Sequence, residues 1–301
     1  MTPTGGIVFA TWAATAGQRP RARLLVESLR AFGGRLAGSP FWIVDCVPGG
    51  MPGGITAGKG VTVIAASVPD ETRGYPYAAK VAAAAAAEAR ADGEADTLVM
   101  VAAENLVTGS VDLLDLGDGA DAALRPVHHR NVGLPAGAPL DAFWRGVYAG
   151  AGVADLDDTV ESFVEGERLR AWFNSALYAV RPRLGLLRRW PERFAALVAD
   201  GDFQREACGD DLHRIFLHQA ALTALLATEI PAARRRLLPP AYVYPYNLHG
   251  EVPPARRARR LEDLATVCYE ERSLHPDAAD DIAMGDELAA WLAVRWETGG
   301  A

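Results

Sequence analysis

Only two of the 30 basic residues in this chain are lysines, Lys59 and Lys80, and Lys80 stands inside an alanine-rich run, YPYAAKVAAAAAAEARA. By itself an ammonium there reads as a solvated helix charge; its rarity in an arginine-biased chain singles it out. Asn174 and Ser175 interrupt the apolar run AWFNSALYAVRP, and His218-Gln219 interrupts the apolar helical pattern DDLHRIFLHQAALTALLATEI. Buried polar groups need partners, so such breaks mark either a polar ligand or an internal hydrogen bond. A lone histidine on an apolar face is more often a satisfied core residue than a catalyst. His128 and His129 lie beside Arg125, Arg130 and Asn131. Adjacent side chains on a strand face opposite ways, so the two imidazoles cannot both bind one metal, and His128 is the one expected to face a cleft. Thr11 and Trp12 close the first apolar run and Asp45 closes the second. In open α/β sheets ligands gather at such strand ends; for Trp12 the alternative is core packing, and for Asp45 a cap on the following loop.

The elements that must carry these residues follow from the apolar patterning. IVFATW (7–12) reads as a strand and RARLLVESLRAFGG (21–34) as a helix, with Leu24, Leu25, Leu29 and Phe32 on one face. FWIVDC (41–46) and VTVIAASV (61–68) are two further buried strands, separated by the Pro/Gly-rich loop VPGGMPGG. The alanine-rich helix follows, bounded by Pro76 and Gly93, and then a fourth strand, TLVMVA (97–102). Strands linked by helical crossovers predict a parallel, Rossmann-like layer. The second half is less regular: a strand leading into a loop over 122–130, a helix ending at Gly150 or Gly152, the strand 171–182 stopped by Pro182, and an amphipathic helix, GLLRRWPERFAALVADG. The long helix 210–230 places Ile215, Phe216, Leu222, Leu225 and Leu226 on one face. RLLPPAYVYPYNL returns to extended structure, and a tail with Asp277, Asp280 and Asp281 leads to a short helix, DELAAWLAVRW, packed outside.

With 301 residues, 50% hydrophobic and 23% charged, the chain is long enough for one large domain with a real core. A formal charge of -8 argues against a general attraction to nucleic acid, so any anion must be held by a local site. Cys46, Cys208 and Cys268 are odd in number and widely spaced, which speaks against a disulfide framework or a structural zinc. The leader MTPTGG lacks the positive charge of a signal peptide, and no apolar run approaches a membrane span, so a cytoplasmic location without membrane attachment is expected.

Several local sequences, in order, resemble the GT-A fold of nucleotide-diphospho-sugar transferases over most of the chain. LVMVAAENLVTGSVDLL has the frame of that family's fourth strand, with Leu106, Val107, Gly109 and Leu113 in register, but Ala102-Ala103-Glu104 stands where Asp-x-Asp is usual. FNSALYAVRP resembles the Asn-Ser-Gly strand that faces the donor sugar, with Ala176 replacing the glycine. HQAAL (218–222) sits where Asp-Gln-x-x-Leu is common, and YNLHG (246–250) resembles the late Tyr-Asn and His-containing loop.

The resemblance implies an α/β, GT-A-like, Rossmann-type mixed sheet of roughly six to eight strands flanked by helices, a single domain over 1–275 with a helical cap over 276–301. It implies a glycosyltransferase that takes a nucleotide-sugar donor and a small acceptor. Lys80 would face the donor diphosphate, with Arg125 and Arg21 as further cations; Thr11, Trp12, Asp45, His128, Asn174 and Ser175 would bind substrate. His218, Gln219 or Asp211 would orient the acceptor, with Asn174 at the reacting sugar. The family's Mn2+ or Mg2+ would have only Glu104 and His249 as protein ligands, weak candidates since Ala102 offers none, so weak metal dependence or none, and no resident metal cofactor, is the expectation. The arginines Arg256, Arg257, Arg259 and Arg260 are a solvated face or a lid over phosphates. The alternative is a GT-A fold that has lost transfer chemistry and binds a nucleotide or small molecule, or runs another reaction in the same pocket.

Overall fold

A computed structural model describes residues 6–47, 60–270 and 282–299. Most of the Pro/Gly-rich loop after the second strand, Lys59, and the acidic stretch Asp277, Asp280 and Asp281 lie outside the described residues. In chain order the elements are β1 (Ile7–Ala13), α1 (Gln18–Phe32), β2 (Phe41–Asp45), β3 (Val61–Ala65), α2 (Ala78–Ala91), β4 (Thr97–Val101), β5 (Asn105–Val107) and β6 (Ala122–Pro126). They continue with α3 (Ala142–Gly150), β7 (Thr159–Glu161), β8 (Arg168–Arg170), β9 (Phe173–Val180), α4 (Leu186–Ala199), α5 (Gly201–Ala207) and α6 (Asp211–Glu229). β10 (Arg235–Leu237), β11 (Tyr244–Pro245), β12 (Thr266–Cys268) and α7 (Asp286–Gly299) complete the chain.

Seven strands form one mixed sheet in the order β10-β6-β9-β4-β1-β2-β3, so the fold is a single-domain α/β sandwich of helices about a sheet. β4, β1, β2 and β3 run parallel, and β9 is antiparallel to both its neighbours, β4 and β6. The central strands carry apolar side chains on both faces because both faces are covered. Val8, Ala10 and Trp12 join a core layer with α2, α4 and α6, whereas Phe9 joins the layer beneath α1. A small sheet, β11-β12-β5, packs at the end of the second layer, and β7-β8 form a hairpin. α7 lies against α1: Leu288 and Leu292 are buried, Trp291 meets Phe32 edge-on at 5.3 Å, and Arg295 Nε donates to Glu27 at 2.7 Å.

Two expectations are corrected. β3 is not a buried strand but the edge of the sheet, with Val63 37% exposed, because no described strand pairs beyond it. Ile215 does not share the core face of α6 and Phe216 is only half-buried. The buried part of α6 runs from Leu217 to Ala227, where the sheet, α3 and α4 enclose the helix, and its first turns project past the sheet. The short elements α5, β7 and β8 were not anticipated, their segments being too short for periodicity to register. Among the described residues no helix is long and apolar enough to cross a membrane.

Gly109 shows how tightly the segment after β4 is docked. A Cβ there would lie 2.5 Å from the Leu264 carbonyl oxygen, which already accepts from Thr108 Oγ1 at 3.1 Å. Backbone cannot yield as a flexible side chain can, so Gly109→Ala is expected to destabilise the fold by roughly 1–3 kcal/mol, read as a lower urea midpoint.

Candidate functional site

A cavity of about 1160 Å³ opens at the carboxyl ends of β1, β2, β3 and β4. Parallel strands end there while the helices have not yet closed over them, which is where open α/β sheets hold ligands. Trp12, Asp45, Lys80, Glu104, His128, Asn174, Ser175, His218 and Gln219 all line it.

Lys80 comes from the first turn of α2 and is buried. Its Nζ donates to Ser175 Oγ at 2.6 Å and sits 5.1 Å from the Trp12 ring centre and 5.6 Å from that of Tyr77. Burial pulls its pKa from 10.5 down to about 7, against the opposing pull of the Glu104 charge. Ser175 Oγ also lies 3.0 Å from Gln219 Oε1 and 3.2 Å from His218 Nε2. His218 Nδ1 contacts the Ile215 carbonyl at 2.8 Å, so the proton belongs on Nδ1 and Nε2 turns its lone pair to Ser175. Burial first, and then the Lys80 charge, hold the His218 pKa well below the ordinary range. The serine thus accepts from Lys80 and offers its one proton to either His218 or Gln219. Tyr77 closes the cluster, its ring stacked on His218 at 4.3 Å and its backbone left-handed at φ 62°. A bulky residue in that region is strained, a feature that concentrates at functional sites.

Asn174 Oδ1 accepts from the Ala176 N–H at 2.6 Å, which leaves the amide NH2 as the donor side of this cavity-lining residue. Glu104 Oε1 accepts from Gln18 Nε2 at 3.2 Å and lies 3.6 Å from Arg21 Nη1. Asp45 serves both roles weighed for it: it lines the cavity, and it accepts from Val47 N at 3.3 Å while facing Arg19 at 3.5 Å. Gln18, Tyr77 and Glu270 also line the wall. Nothing in their local sequence marks them; they arrive from the first residue of α1, the residue that caps α2 and the turn after β12.

Four expected site residues are not on the cavity. Thr11 alternates with Trp12 along β1, so it faces away and is fully buried. Arg125 is buried behind the wall, its Nε donating to the Tyr242 carbonyl at 3.1 Å. His249 is turned inward onto the Tyr244 hydroxyl at 2.7 Å. Asp211 sits exposed in the first turn of α6, where a carboxylate favours the helix dipole. His129 lies on the wall, with Glu165 at 2.8 Å. The arginine run is exposed, with Arg256 held by Glu161 at 2.8 Å and Arg257 by the Val252 carbonyl at 2.7 Å.

The metal of the GT-A pattern does not fit these residues. Ala102 lines the cavity without a ligand atom, Glu104 is engaged by Arg21 and Gln18, and His249 is not on the cavity. Among the described residues no group of three or more His, Cys, Asp or Glu side chains is placed to hold an ion. Thiol chemistry is also disfavoured: the three cysteines are free and buried, and burial pushes Cys46 and Cys208 up to about 11. No protein-family model and no curated protein matches the chain.

Proposed function

We propose that the cavity binds a nucleoside-diphosphate sugar and that the chain transfers the sugar to a small acceptor, with side-chain cations in place of a metal ion. The supporting observation is the convergence of Asp45, Lys80, Glu104, Asn174 and Gln219, drawn from five separate segments, around one cavity at the carboxyl edge of the parallel strands. In this reading Asp45 accepts from the ribose hydroxyls, and Trp12 gives an apolar wall. Lys80 and Arg21 face the diphosphate, where negative charge grows as the glycosidic C–O bond breaks; pre-placed cations in a dry site stabilise that charge strongly. The Asn174 NH2 donates to the sugar. Asp45, Glu104 and Glu270 on the wall are engaged with Arg19, Arg21 and Asn247, and the His218 lone pair faces Ser175. The departing diphosphate oxygen is then the base for the acceptor hydroxyl, which implies transfer on one face of the sugar and retention of configuration.

A second reading keeps the binding and drops the transfer; the absent metal ligand at Ala102 favours it. UDP, GDP, dTDP and CMP, each with and without Mn2+, test both by thermal shift. One of the three diphosphates is expected to raise the melting temperature, by an amount that corresponds to about 2.7 kcal/mol at a hundredfold excess over Kd, with the monophosphate CMP as the comparison. No response to any of them would remove both readings, and hydrolysis or transfer of the matching sugar donor separates them.

A further inference from the structure

Arg125 lies beside this site and is unlike Arg181, the other buried arginine among the described residues, and the half-buried Arg170 and Arg235. Arg181 is held by three carbonyls, those of Asp96, Gly117 and Ala120, with Asp121 near; Arg235 has Asp158 at 2.6 Å; Arg170 has Asp155 and two carbonyls. Arg125 is only 3% exposed, makes one hydrogen bond through Nε, and leaves Nη2 sealed from solvent with no partner among the described residues. No described carboxylate pairs with it, and its guanidinium lies 5.2 Å from the Phe163 ring centre. Three residues on, His128 lines the cavity, packs edge-on to the same Phe163 at 6.4 Å, and has both ring nitrogens without partners among the described residues. A buried cation without a counter-charge is costly, and unpaired donors beside it compound the cost. The aim of Arg125 is built in: the β6–β9 pairing shifts register between Leu124 and Arg125, setting Arg125 opposite Asn174, a cavity residue. Such bulges re-aim side chains beside functional sites.

We propose that Arg125 and His128 form an oxyanion subsite behind the cavity wall, which takes a carboxylate or phosphate group. The anion lies between Nη2 and an imidazole nitrogen, reached when the His128 ring turns from its place on the wall. Lys80 is already engaged at Ser175 and Arg125 stands opposite Asn174, so in this proposal the two cations serve separate anionic groups. Resting on the transferase reading, the second anion belongs to the acceptor, whose chemical class is then an acidic small molecule.

The test uses the full chain carrying Lys80→Met, which removes the donor-side cation, and titrates inorganic phosphate or acetate by calorimetry. Millimolar binding of at least one is expected, weakened at least tenfold by adding Arg125→Met and at least threefold by adding His128→Phe, which keeps a ring and removes the nitrogens. Binding of acetate alone assigns a carboxylate acceptor, and of phosphate alone a phosphorylated one. Absence of both, or affinity unchanged by either substitution, overturns the subsite. Should Arg125→Met fail to fold, the His128→Phe titration decides alone. If wild type ignores every nucleoside diphosphate while acetate or phosphate still binds through Arg125, the donor reading fails and the subsite stands.

Discussion

Lys80→Met is expected to weaken nucleoside-diphosphate binding by roughly 10- to 100-fold, the worth of a charge-assisted hydrogen bond to a buried anion. The same change should make the ligand-free protein more stable. Among the described residues Lys80 is buried with no carboxylate in contact; its hydrogen bond goes to Ser175 at 2.6 Å, and its folded pKa is drawn down to about 7 from 10.5. For a base whose folded pKa is depressed, the unfolded chain binds more protons between the two values, so wild-type stability rises with pH across that interval. Below pH 7 the ionised lysine carries its full burial penalty, and a methionine of similar length avoids it. We expect Lys80→Met to gain roughly 1–3 kcal/mol at pH 6 and less at pH 9, measured by urea unfolding at both pH values. Ligand affinity follows the opposite course. A bound diphosphate restores the charge on Lys80, so wild-type affinity is greatest below pH 7 and declines as pH rises from there, by up to tenfold per unit, whereas the methionine variant should be flat. Equal affinity in the two proteins would return Lys80 to an internal structural role with Ser175.

Ala102→Asp is expected to create a divalent-metal dependence which, on the proposed reading, the wild-type chain does not have. Ala102 lines the cavity, and its N–H donates to the Ala176 carbonyl at 2.7 Å, so the backbone that would carry the new carboxylate is pinned to β9. Glu104, two residues on, also lines the cavity and would supply the second oxygen ligand, in competition with Arg21. Hard cations are selected by anionic oxygens, and diphosphate oxygens would complete the set. In calorimetry Mn2+ should bind the variant in the presence of its nucleoside diphosphate and show no tight binding to wild type. Mn2+ should stimulate transfer at least tenfold in the variant and less than twofold in wild type. Without metal the new carboxylate sits in a nearly closed position and should lower the melting temperature, with Mn2+ restoring it. Tight Mn2+ binding to the wild-type chain that is lost in Glu104→Gln would show that the replacement at Ala102 did not remove the site.

The strand and helix order through β4 was legible because each element there carries its own signal: short apolar runs for β1, β2 and β4, and a long alanine-rich run for α2. The polar breaks were legible for the same reason, since Lys80, Asn174-Ser175 and His218-Gln219 contradict their apolar surroundings locally. Their meeting was not. Lys80 and Ser175 are 95 residues apart and Ser175 and His218 are 43 apart, joined only because β9 enters antiparallel beside β4 with α2 and α6 laid over one face. Side-chain direction at the strand ends was also undecided by composition. Trp12 reaches the cavity and Thr11 does not, because alternate residues on β1 face opposite layers. A bulge aims Arg125 behind the wall, and a fold of the late loop takes His249 onto Tyr244. Residue type and local period therefore determined the elements and the polar positions, which are properties of short segments. Which of those positions share one cavity depended on strand order, register and facing, and these are settled by the packing of the whole chain.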